Sequence, residues 1–222
     1  MLISTYIIYL FFECDESQNP SMKIHHALLF ILRTPGVSYI FMLTIFSWIM
    51  YIQLFSTLPL LINNQLAATS FLGSLYATNT MLIVFFSIPI NKYLLKFDID
   101  AYAFIIMGFI FIGFGFILLY LLPALLSAYF SVALWTLGEI LIIPSLSSSL
   151  SELTKGSERL HVFAFNGVAI GLGEGVGMYL GAVLIGLQPH SQISHIYLYL
   201  SWILLFFLGI IFILKKVGQH ES

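Results

Sequence analysis

Residues 34–91, TPGVSYIFMLTIFSWIMYIQLFSTLPLLINNQLAATSFLGSLYATNTMLIVFFSIPIN, carry no formal charge. As one helix, these 58 residues would reach roughly 87 Å at about 1.5 Å per residue, against a hydrocarbon core of about 30 Å. The stretch must therefore cross a bilayer, turn and cross back. Its polar cluster Asn63-Asn64-Gln65 is the natural turn, giving a first span from Val37 to Ile62 and a second from Ser70 to Ile90. Outward from this stretch the pattern repeats. The uncharged run between Asp100 and Glu139 breaks at Pro123, because proline is tolerated at a helix end, where its missing N–H costs least. A third span (Ala101 to Leu122) and a fourth (Leu125 to Leu150) result. Beyond the polar loop Ser151 to Arg159, a fifth (Leu160 to Leu187) and a sixth (Ile193 to Leu214) are separated by Gln188-Pro189-His190-Ser191-Gln192.

Composition agrees with an all-α integral membrane protein. The chain is 60% hydrophobic and 8% charged, with 10 acidic and 8 basic residues and a net charge of −2. A soluble domain carries about a quarter of its residues as charges. With no basic cluster, nucleic acid is an unsuitable partner. The lone Cys14 supports neither an internal disulfide nor a metal site, and no cofactor is indicated.

Basic residues set the expected orientation. Lys23 and Arg33 precede the first span, Lys92 and Lys96 follow the second, Lys155 and Arg159 follow the fourth, and Lys215 and Lys216 follow the sixth. All fall on one side, so both ends of the six-span block are expected in the cytoplasm of a cell-membrane protein. Residues 1–12 are apolar but too short to span, and they read as the tail of a preceding transmembrane helix. Residues 13–36 read as a cytoplasmic linker with an interfacial helix from Met22 to Thr34, and residues 37–222 as the membrane domain.

Polar groups in hydrocarbon are costly, so their placement carries information. The third and sixth spans are nearly bare, as lipid-facing helices would be. The first carries Ser47, Gln53, Ser56 and Thr57; the fourth carries Thr136, Glu139 and the serines from Ser145 to Ser149. These two are expected to line water, with kinks at Pro59 and Pro144. Glu139 lies mid-span, where a charge needs a partner, a proton or water. With Gln53, Trp135 and Thr136 it forms the candidate substrate and proton-coupling set, the alternative for Glu139 being a structural hydrogen bond. Asn79 and Gln53 default to interhelical ties.

The fifth span places six glycines within fifteen residues, Gly167 to Gly181. Each costs about 1 kcal/mol in a helix relative to alanine, which close backbone approach can offset. At 100° per residue Gly167, Gly171, Gly177 and Gly181 lie within about 60° of Glu174, so these five residues are read as one structural or docking face, with Glu174 as an interhelical tie. Gly73, Ser74, Ala77 and Thr78 form a weaker version in the second span. The segment Gly171 to Gly177 is no nucleotide loop, lacking strand, turn and P-loop lysine. Neither HExxH nor GxSxG occurs, and no enzyme is indicated. His25, His26 and His161 read as interfacial or helix-end polarity.

Leu134-Trp135-Thr136-Leu137-Gly138-Glu139, then Pro144, Gly156 to Arg159 and the glycine-rich fifth span resemble the major facilitator superfamily, most closely the second six-helix half of bacterial drug-efflux members. The family's loop signature is reduced here to Asn91-Lys92-Tyr93 before Lys96, and the proline of its antiporter glycine motif is replaced at Gly177-Met178. The resemblance implies a half bundle in which the first and fourth spans border a cavity, the second and fifth pack on the other half, and the third and sixth face lipid. The function so implied is proton-coupled export of small amphipathic compounds, requiring a first-half partner. An inactive or structural fragment and a self-associating carrier are the alternatives.

Overall fold

The computed structural model describes residues 30–31, 33–94, 100–189 and 192–218. The expectations for residues 1–12, for most of the linker, and for Cys14, Lys23, His25, His26, Lys96 and His190 lie outside them. Among the described residues there is no strand. The long helical elements among the described residues are α1, Pro35–Gln65; α2, Leu72–Leu94; α3, Ala101–Leu121; α4, Leu125–Leu153; α5, Gly156–Gly186; and α6, His195–Gly218. Five of these are long and apolar enough to cross a bilayer, and the apolar part of α6, His195–Ile211, is shorter. The chain is thus an all-helical, multi-pass membrane protein.

Local chemistry explains the boundaries. Proline is favoured at the first helical position because the N–H it lacks would be unpaired there in any case; accordingly α1 starts at Pro35, after an extended Thr34, two residues before the start expected from hydropathy. The same ring at Pro59 cannot donate into the ladder, and α1 is interrupted here into the short pieces Gln53–Ser56 and Leu58–Leu60. It ends in a π turn, Leu61–Gln65, so the Asn63-Asn64-Gln65 cluster is the last turn of the helix, and the reversal follows at Leu66 to Ala68. Asp100 caps α3 by accepting from Tyr102 N at 3.1 Å, and Ser127 accepts from Ala124 N at the start of α4.

The helices make two layers. In one, α4 lies against both α2 and α1, and α1 against α5; behind them α3 packs along α4 and α6 along α3. The α3–α4 crossing is set by glycine. A methyl group at Gly108 would come within 2.8 Å of Gly138 O, and one at Gly138 within 2.7 Å of Gly108 O, so the two backbones touch. Further along, Gly115 leaves room for the Trp135 indole; Ser131 Oγ donates to Gly115 O at 2.9 Å and Trp135 Nε1 to Ile112 O at 3.1 Å. The third span is therefore not simply a lipid-facing helix. One face is pressed on α4, while Ile110, Phe114 and Leu121 remain exposed.

Gln65 joins the ends of α1 and α6: its Oε1 accepts from Ser194 N at 2.9 Å and its Nε2 donates to Ser194 Oγ at 3.2 Å. Deeper in the bundle, the Thr57 hydroxyl and the buried Tyr197 hydroxyl are hydrogen-bonded at 3.3 Å, and Phe46 of α1 stacks on Phe207 of α6.

Candidate functional site

Where α1, α2 and α4 meet, polar side chains converge on Glu139. Tyr51 comes from α1, Asn79 from α2, and Thr136 from α4, one turn before Glu139. Asn79 Nδ2 donates to Thr136 Oγ1 at 2.9 Å and to Tyr51 OH at 3.2 Å. Thr136 in turn donates to Val132 O at 2.7 Å. Tyr51 shares a cleft with the Glu139 carboxyl group, whose Oε2 is buried and has no hydrogen-bond partner. Beside the carboxyl group a small cleft, large enough for about one water molecule, is lined by Ser47, Trp48, Tyr51, Ile112, Glu139, Ile142 and Ile143.

This arrangement supplies a carboxyl group, a phenolic donor and an aromatic wall, at a depth where an unpaired polar oxygen is costly. Trp48 meets Tyr51 edge-on at 5.6 Å, Tyr51 meets Phe55 at 6.2 Å, and Phe55 stacks on Tyr76 of α2 at 5.3 Å. A row of rings thus leads away from the carboxyl group.

The other sequence candidates divide. Thr136 belongs to the cluster. Trp135 is turned into the core between α3, α4 and α6, against Phe116 at 5.2 Å and Tyr197 at 6.1 Å, and does not line the cleft; the Gly115 gap that receives it is the signal in the sequence. Gln53 is wholly buried; its Nε2 donates to Ile49 O at 3.0 Å and to Gly177 O at 2.9 Å, and its Oε1 accepts from Ser56. It ties α1 to α5. Asn79, treated from sequence as a simple tie, belongs to the Glu139 cluster.

Many hydroxyls that marked α1 and α4 as water-lining are satisfied by their own helix. Ser47, Thr57 and Ser145 each donate to the carbonyl four residues earlier, as Ser and Thr commonly do in membrane helices.

The glycines of α5 form two stripes. A methyl group at Gly173 would come within 2.6 Å of Ile45 O, one at Gly177 within 2.8 Å of Ile49 O, and one at Gly181 within 2.9 Å of Gln53 Oε1. Gly167, Gly171 and Gly175 meet nothing within 4 Å. On the helical wheel the stripes are centred about 120° apart, and the half-buried Glu174 lies between them. Gly177 and Gly181 therefore pack inside the bundle, while Gly167 and Gly171 face outward. Among the described residues no group of His, Cys, Asp or Glu is placed to hold a metal ion.

No protein-family model matches the chain, and no curated protein matches it either.

Proposed function

We propose that the chain is one six-helix half of a proton-coupled, secondary-active exporter of small amphipathic compounds in the cell membrane, with Glu139 as the exchanging group. The observation that carries this reading is the Glu139 carboxyl group, mid-helix beside a cleft, with one oxygen buried and unpartnered. A purely structural tie would be met more cheaply by glutamine, which keeps the hydrogen bonds without an ionisable group. Support for a half bundle comes from α2 and α5, the least buried of the five long helices, and from the open Gly167–Gly171–Gly175 stripe. A first-half partner would cover these faces, and rocking of two halves about a midplane site would move the substrate. The basic loops orient both ends of the block to the cytoplasm.

The test is Glu139→Gln in proteoliposomes holding the chain together with a first half. Efflux driven by a pH gradient should be abolished while insertion and assembly persist, because an amide cannot take up and release a proton. Gradient-dependent efflux surviving in the variant would reduce Glu139 to a helix tie. Transport by the chain alone would replace the half-transporter reading with the self-associating carrier.

A further inference from the structure

We propose that the apolar groove between α1, α5 and α6 seats one acyl chain of an anionic phospholipid, drawn from the leaflet that holds the basic ends of these helices, with the headgroup at those basic residues.

The groove has a volume of about 570 Å³ and runs along α1 from Ile31 to Ile49 and along α5 from Phe165 to Leu172, with Phe207 of α6 as a further wall. One water takes about 30 Å³ of liquid and needs two to four polar partners. Ser38 is the only polar side chain among the described residues lining the groove, and its hydrogen is spent on Ile31 O at 2.5 Å. The filling is therefore apolar. Two features fit a lipid chain better than a protein helix. Val168 and Leu172 are exposed, so the groove is open to the side. It also stops at Ile49 and Leu172, near the middle of two helices of 31 residues each. From Ser38 to Ile49 is about 16 Å at about 1.5 Å per residue, half of a hydrocarbon core of about 30 Å. A partner's helix would cross the whole core, whereas an acyl chain ends at mid-bilayer. On α5 the groove and the open stripe of Gly167, Gly171 and Gly175 are centred about 110° apart, so a partner on that stripe leaves the groove to lipid.

Lipid tails are as apolar as the groove, so the tail fills space and selects nothing. Selection falls to the headgroup. Each of the three helices has cations at the end where Ile31 lies. Arg33, just before α1, is exposed and follows Ile31 by two residues. Along the α1–α5 contact, Gly173, Gly177 and Gly181 lie level with Ile45, Ile49 and Gln53, a constant offset that puts Arg159 level with Ile31. The Arg159 guanidinium lies over the Phe163 ring at 6.0 Å and donates to Ser151 Oγ. Lys215 and Lys216 sit in α6 about two turns past Phe207. On these three helices Glu158 is the one carboxylate at that end. Four cations against one carboxylate suit an anionic, phosphate-bearing headgroup, as basic sites between transmembrane helices do.

Photolabelling of the full chain in phosphatidylcholine vesicles, with a phosphatidylglycerol that carries a diazirine in its acyl chain, tests this without any need for transport. Peptide mapping should find several-fold more adducts on Phe41 to Ile49 and Phe165 to Leu172 than at the exposed Phe85 and Phe206. Excess unlabelled phosphatidylglycerol should displace them where excess phosphatidylcholine does not. Val168→Trp, at an exposed position, narrows the groove and should reduce these adducts several-fold. Arg33→Gln combined with Arg159→Gln should make the two lipids displace them more nearly alike. Adducts spread evenly over the exposed apolar residues, or equal displacement by both lipids in the unaltered chain, would overturn the proposal. So would a preference for phosphatidylglycerol undiminished in the double variant. Loss of the adducts at a raised protein-to-lipid ratio, or on adding a first half, would overturn it too and give the groove to a second copy or to the partner.

Discussion

At the scale of single residues, two backbone positions give measurements free of packing effects. Gly156, at the start of α5, has φ +58° with open space around its Cα. A methyl group there meets no neighbour, so Gly156→Ala should cost only the left-handed backbone penalty, about 1–2 kcal/mol. Ala67, at φ +48° in the exposed turn after α1, already bears that penalty, and Ala67→Gly should stabilise by about 0.5–1 kcal/mol. Equilibrium unfolding in mixed micelles checks both, and equal signs for the two changes would contradict the assigned backbone. Gly156 stands out in the sequence as a glycine between two long apolar runs, but nothing marks Ala67, since alanine carries no preference for positive φ. The site shows the same contrast. Glu139 is the one formally charged residue between Asp100 and Glu152, and so it was legible. Tyr51 was not, because a tyrosine among Trp48, Tyr39 and Phe55 reads as one more aromatic, and only its meeting with Asn79 in space gives its hydroxyl a role.

At the scale of elements, α5 shows what periodicity can and cannot resolve. Grouping glycines around Glu174 put Gly167, Gly171, Gly177 and Gly181 on one broad face, because a 60° tolerance on each side spans two adjacent stripes. The partner helix decides between them: α1 sits on Gly173, Gly177 and Gly181 and leaves Gly167, Gly171 and Gly175 open. The consequence is a difference in sign between two substitutions of one type. Gly177→Ala pushes a methyl group against Ile49 O and the Ile52 side chain, should destabilise the bundle by about 1–3 kcal/mol, and should weaken the Gln53 tie. Gly171→Ala has no neighbour to strike and should be neutral or stabilising, by up to about 1 kcal/mol from helix propensity. Unfolding measurements on the two variants check this, and destabilisation by Gly171→Ala would show that the outer stripe is packed within the chain. The α3–α4 contact was less legible: Gly108 and Gly138 lie in different spans, neither within a dense glycine run, and their meeting depends on the crossing point of two helices.

At the scale of the whole molecule, the unequal burial of the helices is the strongest constraint on how the chain is used. The most apolar windows of α1, α3 and α4 are 61%, 50% and 56% buried, whereas those of α2 and α5 are 11% and 22% buried. Leu75 and Asn79 fasten α2 inward, while Met81, Val84, Phe85 and Ile88 are exposed. Lipid alone could cover such faces, but it gives no reason for glycine at 167, 171 and 175, which is costly in a helix unless another backbone comes close. Replacing the outer glycine with a bulky side chain therefore separates the two kinds of cover. Gly171→Leu should leave the fold of the chain intact, since nothing lies within 4 Å of that position, and should abolish association with a first half or with a second copy. Co-purification of differently tagged polypeptides from membranes reads the association directly. Cysteines at Asn63 and Lys155, both exposed and placed with Cys14 replaced by Ser, report the topology in the same membranes. By the distribution of basic residues Lys155 is expected in the cytoplasm, and the three spans between the two positions would then place Asn63 on the outer side. An impermeant thiol reagent added outside intact cells should label the Asn63 site and spare the Lys155 site. Undiminished association of the Gly171→Leu chain, with this labelling pattern retained, would assign the outer face of α5 to lipid and remove its glycine stripe as an argument for a partner.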